Sequence, residues 1–216
     1  MNQREFSQRL GRRARRAGAP VSEHLSAALW IYFDLLFRWN AKINLTSLSL
    51  EQPDEAIDRL LVEPLLAARQ NLAGKGLRVL DLGSGGGSPA IPLKLAVPDI
   101  QLVMVESKAR KSAFLREAVR QTRVDAVVET ARFEELLARP DFHETFDVAT
   151  IRAVKAEPRT LLRMQAFVRP RGRIFLFRGT GAADGLGWVS PPLLRQGTHS
   201  LGDAAQLIVL EKMALQ

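Results

Sequence analysis

Leu77-Arg78-Val79-Leu80-Asp81-Leu82-Gly83-Ser84-Gly85-Gly86-Gly87-Ser88-Pro89 decides the fold of this chain. Residues 77–82 are a short apolar run with an acid near its end, the pattern of a buried strand. The glycines that follow let the chain turn sharply and let a ligand approach the backbone with no Cβ in the way. Pro89 and Pro92 suit the first turn of a helix, where a missing N–H costs nothing. Working outward, Gln101–Glu106 predicts a second strand and 108–121 a helix with Ala109, Phe114, Leu115 and Ala118 inward. Ala126–Thr130, Phe146–Ile151 and Arg173–Arg178 predict further buried strands, with helical stretches at 132–138 and 156–167 between them. Past Arg178 the pattern loosens into a Gly-rich stretch, and Gln206–Lys212 predicts a last strand. Alternating strand and helix give an α/β fold with a mostly parallel sheet and right-handed crossovers.

The segment before the strand run is helical in pattern. Ser22 can cap a helix over 22–39, whose Leu25, Leu29, Tyr32, Phe33 and Leu36 keep a 3.6-residue stripe. A second helical pattern runs from about Pro53 to Arg69, and Pro64 should kink or split it. Two divisions are therefore expected, a helical annex over 1–72 and a Rossmann-like domain over 73–216.

Composition narrows the function classes. Of 216 residues, 46% are hydrophobic and 25% charged, which excludes wholesale disorder. No apolar run approaches membrane-spanning length. With no cysteine and only His24, His143 and His199, thiolate chemistry is excluded and a metal site is not expected. A reducing, cytoplasmic setting and a monomer are the expectation. The net charge is +8, and 24 of the 31 basic residues are arginines, whose planar forks suit phosphate oxygens and stacked bases. Residues 1–20 carry six arginines against Glu5, and 152–178 carries eight basic residues against Glu157. The Arg-rich tip is compatible with an organelle transit peptide, but Phe6, Leu10, Ala14 and Ala17 share one helical face and suit a cover helix equally.

Three nucleotide-type ligands could use the glycine loop. Phosphate hydrolysis by a Walker loop needs Gly-Lys-Ser/Thr, and no lysine follows these glycines. A dinucleotide fingerprint needs a third glycine where Ser88 stands. The Asp-x-Gly-x-Gly-x-Gly actually present suits S-adenosylmethionine, whose ammonium Asp81 can help hold. Glu106, twenty-three residues after Gly83, ends the next strand where an acid can accept from ribose hydroxyls.

With these residues assembled, the chain resembles the bacterial small-subunit ribosomal RNA methyltransferase G family, also called glucose-inhibited division protein B, over roughly 25–178. Arg38-Trp39-Asn40-Ala41-Lys42-Ile43-Asn44-Leu45-Thr46 is similar to the family's Trp-Asn-x-x-x-Asn-Leu-Thr segment. Asp81–Leu93 is similar to its donor loop, and Glu106-Ser107 with Arg110-Lys111 and Phe114-Leu115 to the stretch after its second strand. Ala131-Arg132-Phe133-Glu134-Glu135 and Ile151-Arg152-Ala153 are similar to those after the third and fourth strands. The resemblance implies a class I S-adenosylmethionine-dependent methyltransferase fold with a mostly parallel seven-stranded sheet. It implies methyl transfer to N7 of a guanine in the 530 loop of 16S rRNA, with 16S rRNA or the small-subunit particle as partner. By the same resemblance Asp81, Gly83, Gly85, Gly87, Ser88, Glu106, Phe133, Glu134 and Arg152 would hold the donor; holding the guanine takes donors to its O6, for which Arg178 and Asn44 are the candidates. The chain departs from the family at Arg59-Leu60-Leu61-Val62-Glu63, where His-x-x-Asp-Ser is usual, at Arg178-Gly179 in place of Lys-Gly, and in its short tail from Thr180. Two alternatives stay open: a divergent methyltransferase acting on another RNA position or a small molecule, and a noncatalytic RNA-binding assembly factor.

Overall fold

From Arg78 onward strand and helix alternate in a computed structural model that describes residues 1–71, 76–152, 158–180, 189 and 191–214. The strands are β1 (Arg78–Leu82), β2 (Gln101–Val105), β3 (Ala126–Glu129), β4 (Phe146–Arg152), β5 (Val168–Gly179), β6 (Leu193–Ser200) and β7 (Ala205–Lys212). Among the described residues they form one sheet in the order β3-β2-β1-β4-β5-β7-β6. The first five run parallel, and β7 runs antiparallel between β5 and β6. Strand order reverses at the β1/β4 pair, where Asp81 lies level with Thr150 and Leu82 with Ile151. In open α/β sheets such a reversal leaves a crevice at the C-terminal strand edge for a ligand.

Side chains alternate across the sheet with period two, so each face collects its own core. Val79, Val148, Phe175 and Phe177 face the side covered by the N-terminal helices. Leu80, Leu82, Ala149, Ile151, Ile174 and Leu176 face the other side, against Leu161, Met164 and Phe167.

Three expectations need correction. Ala126–Thr130 is not a buried strand: β3 is a sheet edge, with Val127 half exposed. β6 was not expected at all, because Leu193–Ser200 is polar along most of its length and is defined by pairing with β7 rather than by its own apolar run. The helix expected over 132–138 shortens to α7 (Phe133–Leu136), after which Pro140 opens a 3₁₀ turn. Residues 153–157 of the basic block and the 72/73 division lie outside the described residues.

The annex contains α1 (Gln3–Arg16), α2 (Glu23–Asn40), α3 (Asp54–Ile57) and α4 (Glu63–Asn71). Phe6, Leu10 and Ala14 of α1 are fully buried, so the Arg-rich tip is a cover helix. Two of its arginines are turned inward: Arg9 pairs with Glu5 and Asp54, and Arg13 with Asp54 and Asp58. Arg4, Arg12, Arg15 and Arg16 remain exposed.

Pro64 splits the second helical pattern as its ring requires, through a π turn at Asp58–Val62. Pro64 has no N–H to donate, and the Glu63 N–H reaches back to the Asp58 carbonyl instead of Arg59. The Arg59 and Leu60 carbonyls are open to outside donors. Arg152 Nη1 takes the first and Ser88 Oγ the second, at 2.9 Å.

Candidate active site

The crevice at the β1/β4 reversal holds a cavity of about 730 Å³, within the usual size of a small-ligand site. The glycine loop after β1 and Glu106 after β2 line one part of it; Phe177, Arg178 and Gly179 of β5 line another. β2 and β5 stand three strand spacings apart, which separates Glu106 from Arg178 by about 14 Å. The turn from Asn44 to Leu48 closes the cavity from the annex side.

The glycine loop is braced from several directions. Gly83 and Ser84 donate their N–H groups to the Val105 carbonyl at 2.9 and 3.0 Å. Glu106 accepts from the Gly85 N–H at 3.0 Å and from the Lys108 N–H at 2.8 Å, so this acid shapes the loop as well as lining the cavity. Tyr32 of α2 donates its hydroxyl to the Gly86 carbonyl at 2.6 Å. The glycines serve different ends. Gly87 has a φ of 86°, and a Cβ there would sit 2.6 Å from the end of the Ile91 side chain, so backbone conformation and packing both favour glycine. A Cβ on Gly85 would meet only the Gly83 carbonyl, at 3.7 Å, and would otherwise point into open space.

Asp81 is almost fully buried. Its Oδ1 accepts from the Thr150 hydroxyl, and its Oδ2 is buried without a hydrogen-bond partner. Burial pushes this carboxyl above the ordinary aspartate value. A buried carboxylate oxygen left unsatisfied costs free energy until a donor or cation reaches it. The ammonium of S-adenosylmethionine is such a group; Asp81 itself does not line the cavity, but Gly83–Gly86, next to it in the chain, do. The residues present fit that donor.

Gly85→Ala separates ligand room from protein packing. The positive φ of 52° at Gly85 makes alanine there strained by about 1 kcal/mol, too little to unfold the chain. Calorimetry should show S-adenosylhomocysteine affinity falling by an order of magnitude or more in the folded variant. Undiminished affinity would remove the loop from the donor site.

Arg152 sits in the cavity wall with its side chain 13% exposed. Its Nη2 reaches Glu63 Oε2 at 2.8 Å, its Nη1 takes the Arg59 carbonyl, and its guanidinium lies 4.7 Å over the Phe177 ring. Glu63 is 5% exposed and also pairs with Arg59 Nη1 at 3.0 Å. Burial raises the Glu63 carboxyl against the pull of Arg152 and Arg59, and burial lowers the Arg152 guanidinium. The Arg59–Glu63 segment, where the chain departs from the family pattern, thus supplies the carboxylate that holds Arg152.

The remaining expected residues divide into two groups. Asn44 and Arg178 line the cavity, and neither side chain has a partner among the described residues. The turn around them is capped by Asn40, whose Oδ1 accepts from Leu45 N at 2.8 Å and Thr46 N at 3.0 Å, so Asn44 is spared that task. Ser88 lines the cavity while its hydroxyl holds the π turn. Phe133 and Glu134 lie on α7 past β3, outside the cavity lining; Phe133 packs against the core and Glu134 is 4.0 Å from Arg163. Sequence reasoning missed Arg59, Glu63, Thr150 and Tyr32. Only the first pair left a signal, an acid four residues after an arginine on an otherwise apolar segment.

Comparison with known proteins bears on the family and the fold. The model of the rRNA small subunit methyltransferase G family matches residues 25–187. Ribosomal RNA small subunit methyltransferase G of Desulfitobacterium hafniense is 35% identical over 174 residues, 80% of this chain and 70% of the relative. The protein of the same name from Syntrophotalea carbinolica is 30% identical over 208 residues, 89% of this chain and 90% of the relative. Among solved structures, a candidate O-methyltransferase of Klebsiella pneumoniae shares the fold with a TM-score of 0.61 at 16% identity, covering 98% of this chain and 99% of its own. A precorrin-6y C5,15-methyltransferase of Geobacter metallireducens does so with a TM-score of 0.50 at 14% identity, covering 70% and 87%. The sheet is therefore that of class I methyltransferases, and the chain belongs to the rRNA small subunit methyltransferase G family.

Proposed function

We propose that this protein transfers a methyl group from S-adenosylmethionine to N7 of a guanine in the 530 loop of 16S rRNA, in the cytoplasm and as a single chain. Membership of a family named for small-subunit rRNA methylation carries the substrate. Two observations support the chemistry: an unsatisfied buried Asp81 oxygen on the strand that leads into the glycine loop, and Asn44 and Arg178 in the cavity lining with no partner among the described residues. All of these groups come from one chain. Among the described residues no helix is long and apolar enough to cross a membrane.

The donor supplies an electrophilic methyl group on a sulfonium. Guanine N7 carries an exposed lone pair and loses no proton on attack, so no side chain has to act as a base. No histidine lines the cavity among the described residues. What this chain contributes is alignment, which is worth up to about 7–11 kcal/mol of barrier when reacting atoms are held in line. Asp81, Glu106 and the glycine loop fix one partner, with Phe133 and Glu134 extending that site beyond β3. Arg178 and Asn44 present donors to the O6 edge of the base, splayed from its stack into the cavity. The decisive test maps 7-methylguanosine in 16S rRNA from cells with and without the gene. Loss of one 530-loop modification in the deletion strain is expected. An unchanged map would refute the assignment.

A further inference from the structure

A second concavity lies next to the first, between the C-terminal end of α2 and the start of α6 (Ala109–Thr122). It encloses about 480 Å³ and is lined by Arg38, Trp39, Lys42, Ile43, Arg110 and Ala113. Arg38, Lys42 and Arg110 are all exposed, and no acid lines the cleft. Asp34 pairs with Arg38 from outside the lining at 3.0 Å, and Glu117 is held by Arg120 at 2.6 Å. Lys42 and Arg110 have no ion pair among the described residues. Trp39 is only partly buried, with its ring set edge-on to Phe114 at 5.8 Å. The combination is a cationic cleft with an aromatic wall.

The cleft is continuous with the donor cavity along two chain segments. Lys42 and Ile43 line the cleft while Asn44, Leu45 and Thr46 line the cavity; Arg110 lines the cleft while Lys111 lines the cavity. One rim, made of residues 42–46 and 110–111, therefore separates the two spaces.

We infer that this cleft docks the single-stranded RNA flanking the target nucleotide, with Arg38, Lys42 and Arg110 on its phosphates and Trp39 against a neighbouring base. The inference rests on the RNA substrate proposed above. Single strands are held in this manner, by a basic groove that follows the backbone and aromatic side chains that accept any base. Much of the arginine excess is unavailable for the task. Arg9 and Arg13 are partly buried in pairs within the annex, and Arg152 is buried in the cavity wall.

The test compares the full-length protein with an Arg38→Gln/Lys42→Gln/Arg110→Gln variant, using deproteinised 16S rRNA as substrate across a salt series. Each phosphate contact to a single strand contributes about 0.7 to the log–log salt slope. The variant should therefore lose about 2 from the slope, and its KM for RNA should rise ~10-fold or more at moderate salt. Its S-adenosylhomocysteine affinity and melting temperature should match the wild type, since all three side chains lie outside the donor cavity and are exposed. A variant with wild-type KM and wild-type slope overturns the docking cleft while leaving the methyltransferase assignment standing. A wild-type protein that methylates neither deproteinised 16S rRNA nor small-subunit particles from the deletion strain overturns that assignment, and the cleft falls with it.

Discussion

Glu63→Ala is expected to lower stability by about 3–5 kcal/mol, the loss seen when one partner of a buried ion pair is removed. The carboxylate is 5% exposed and holds Arg59 and Arg152 together at 3.0 and 2.8 Å. Without it the Arg152 guanidinium stays buried beside a second cation, with its Nε already lacking a partner. For a chain of this size, each kcal/mol moves the melting temperature by roughly 2–4 °C, so a drop of about 6–20 °C should appear in a thermal scan. The pair itself need not be net stabilising, because taking two charges out of water costs about what their attraction returns. Glu63→Leu combined with Arg152→Met should therefore recover much of the loss. A single Glu63→Ala variant that melts within a degree of the wild type would show that water reaches Arg152 freely.

Arg178→Ala should cut methyl transfer on the order of 10- to 100-fold while leaving donor affinity nearly unchanged. The magnitude follows from about 1–3 kcal/mol for a bidentate arginine contact to a guanine edge. Independence from the donor follows from the sheet, since Arg178 lies on β5 and the Glu106 that shapes the loop follows β2. Among the described residues Arg178 makes no ion pair or hydrogen bond, so removing it leaves none of their groups unsatisfied. Arg178→Lys should keep part of the activity, because the charge survives and only the fork is lost. Donor affinity that falls together with turnover would move Arg178 into the donor site. Full turnover would leave the guanine clamp without support.

The sequence by itself determined the βα alternation, the place of the donor loop, the capped helix after Ser22 and the break at Pro64. Each is written in local pattern: period-two and period-3.6 apolar spacing, glycine at a strand end, a ring that cannot donate. Of the expected site residues, Ser88, Glu106, Arg152, Arg178 and Asn44 line the β1/β4 crevice, whereas Asp81 is buried on β1 and Phe133 and Glu134 lie outside the lining. The tertiary structure alone decided what those groups do for one another. That Pro64 withholds an N–H is legible in one residue. Where the opened Arg59 and Leu60 carbonyls find donors is not, because Arg152 lies 93 residues from Arg59 and Ser88 lies 28 from Leu60. The same holds for the edge strand β6, whose polar sequence carries no apolar signal and which exists only because β7 offers it a ladder of hydrogen bonds. Local propensity is set by neighbours within a turn or a pleat. A buried charge or an unpaired carbonyl is satisfied by whatever the packed chain brings beside it, and no window of sequence contains that partner.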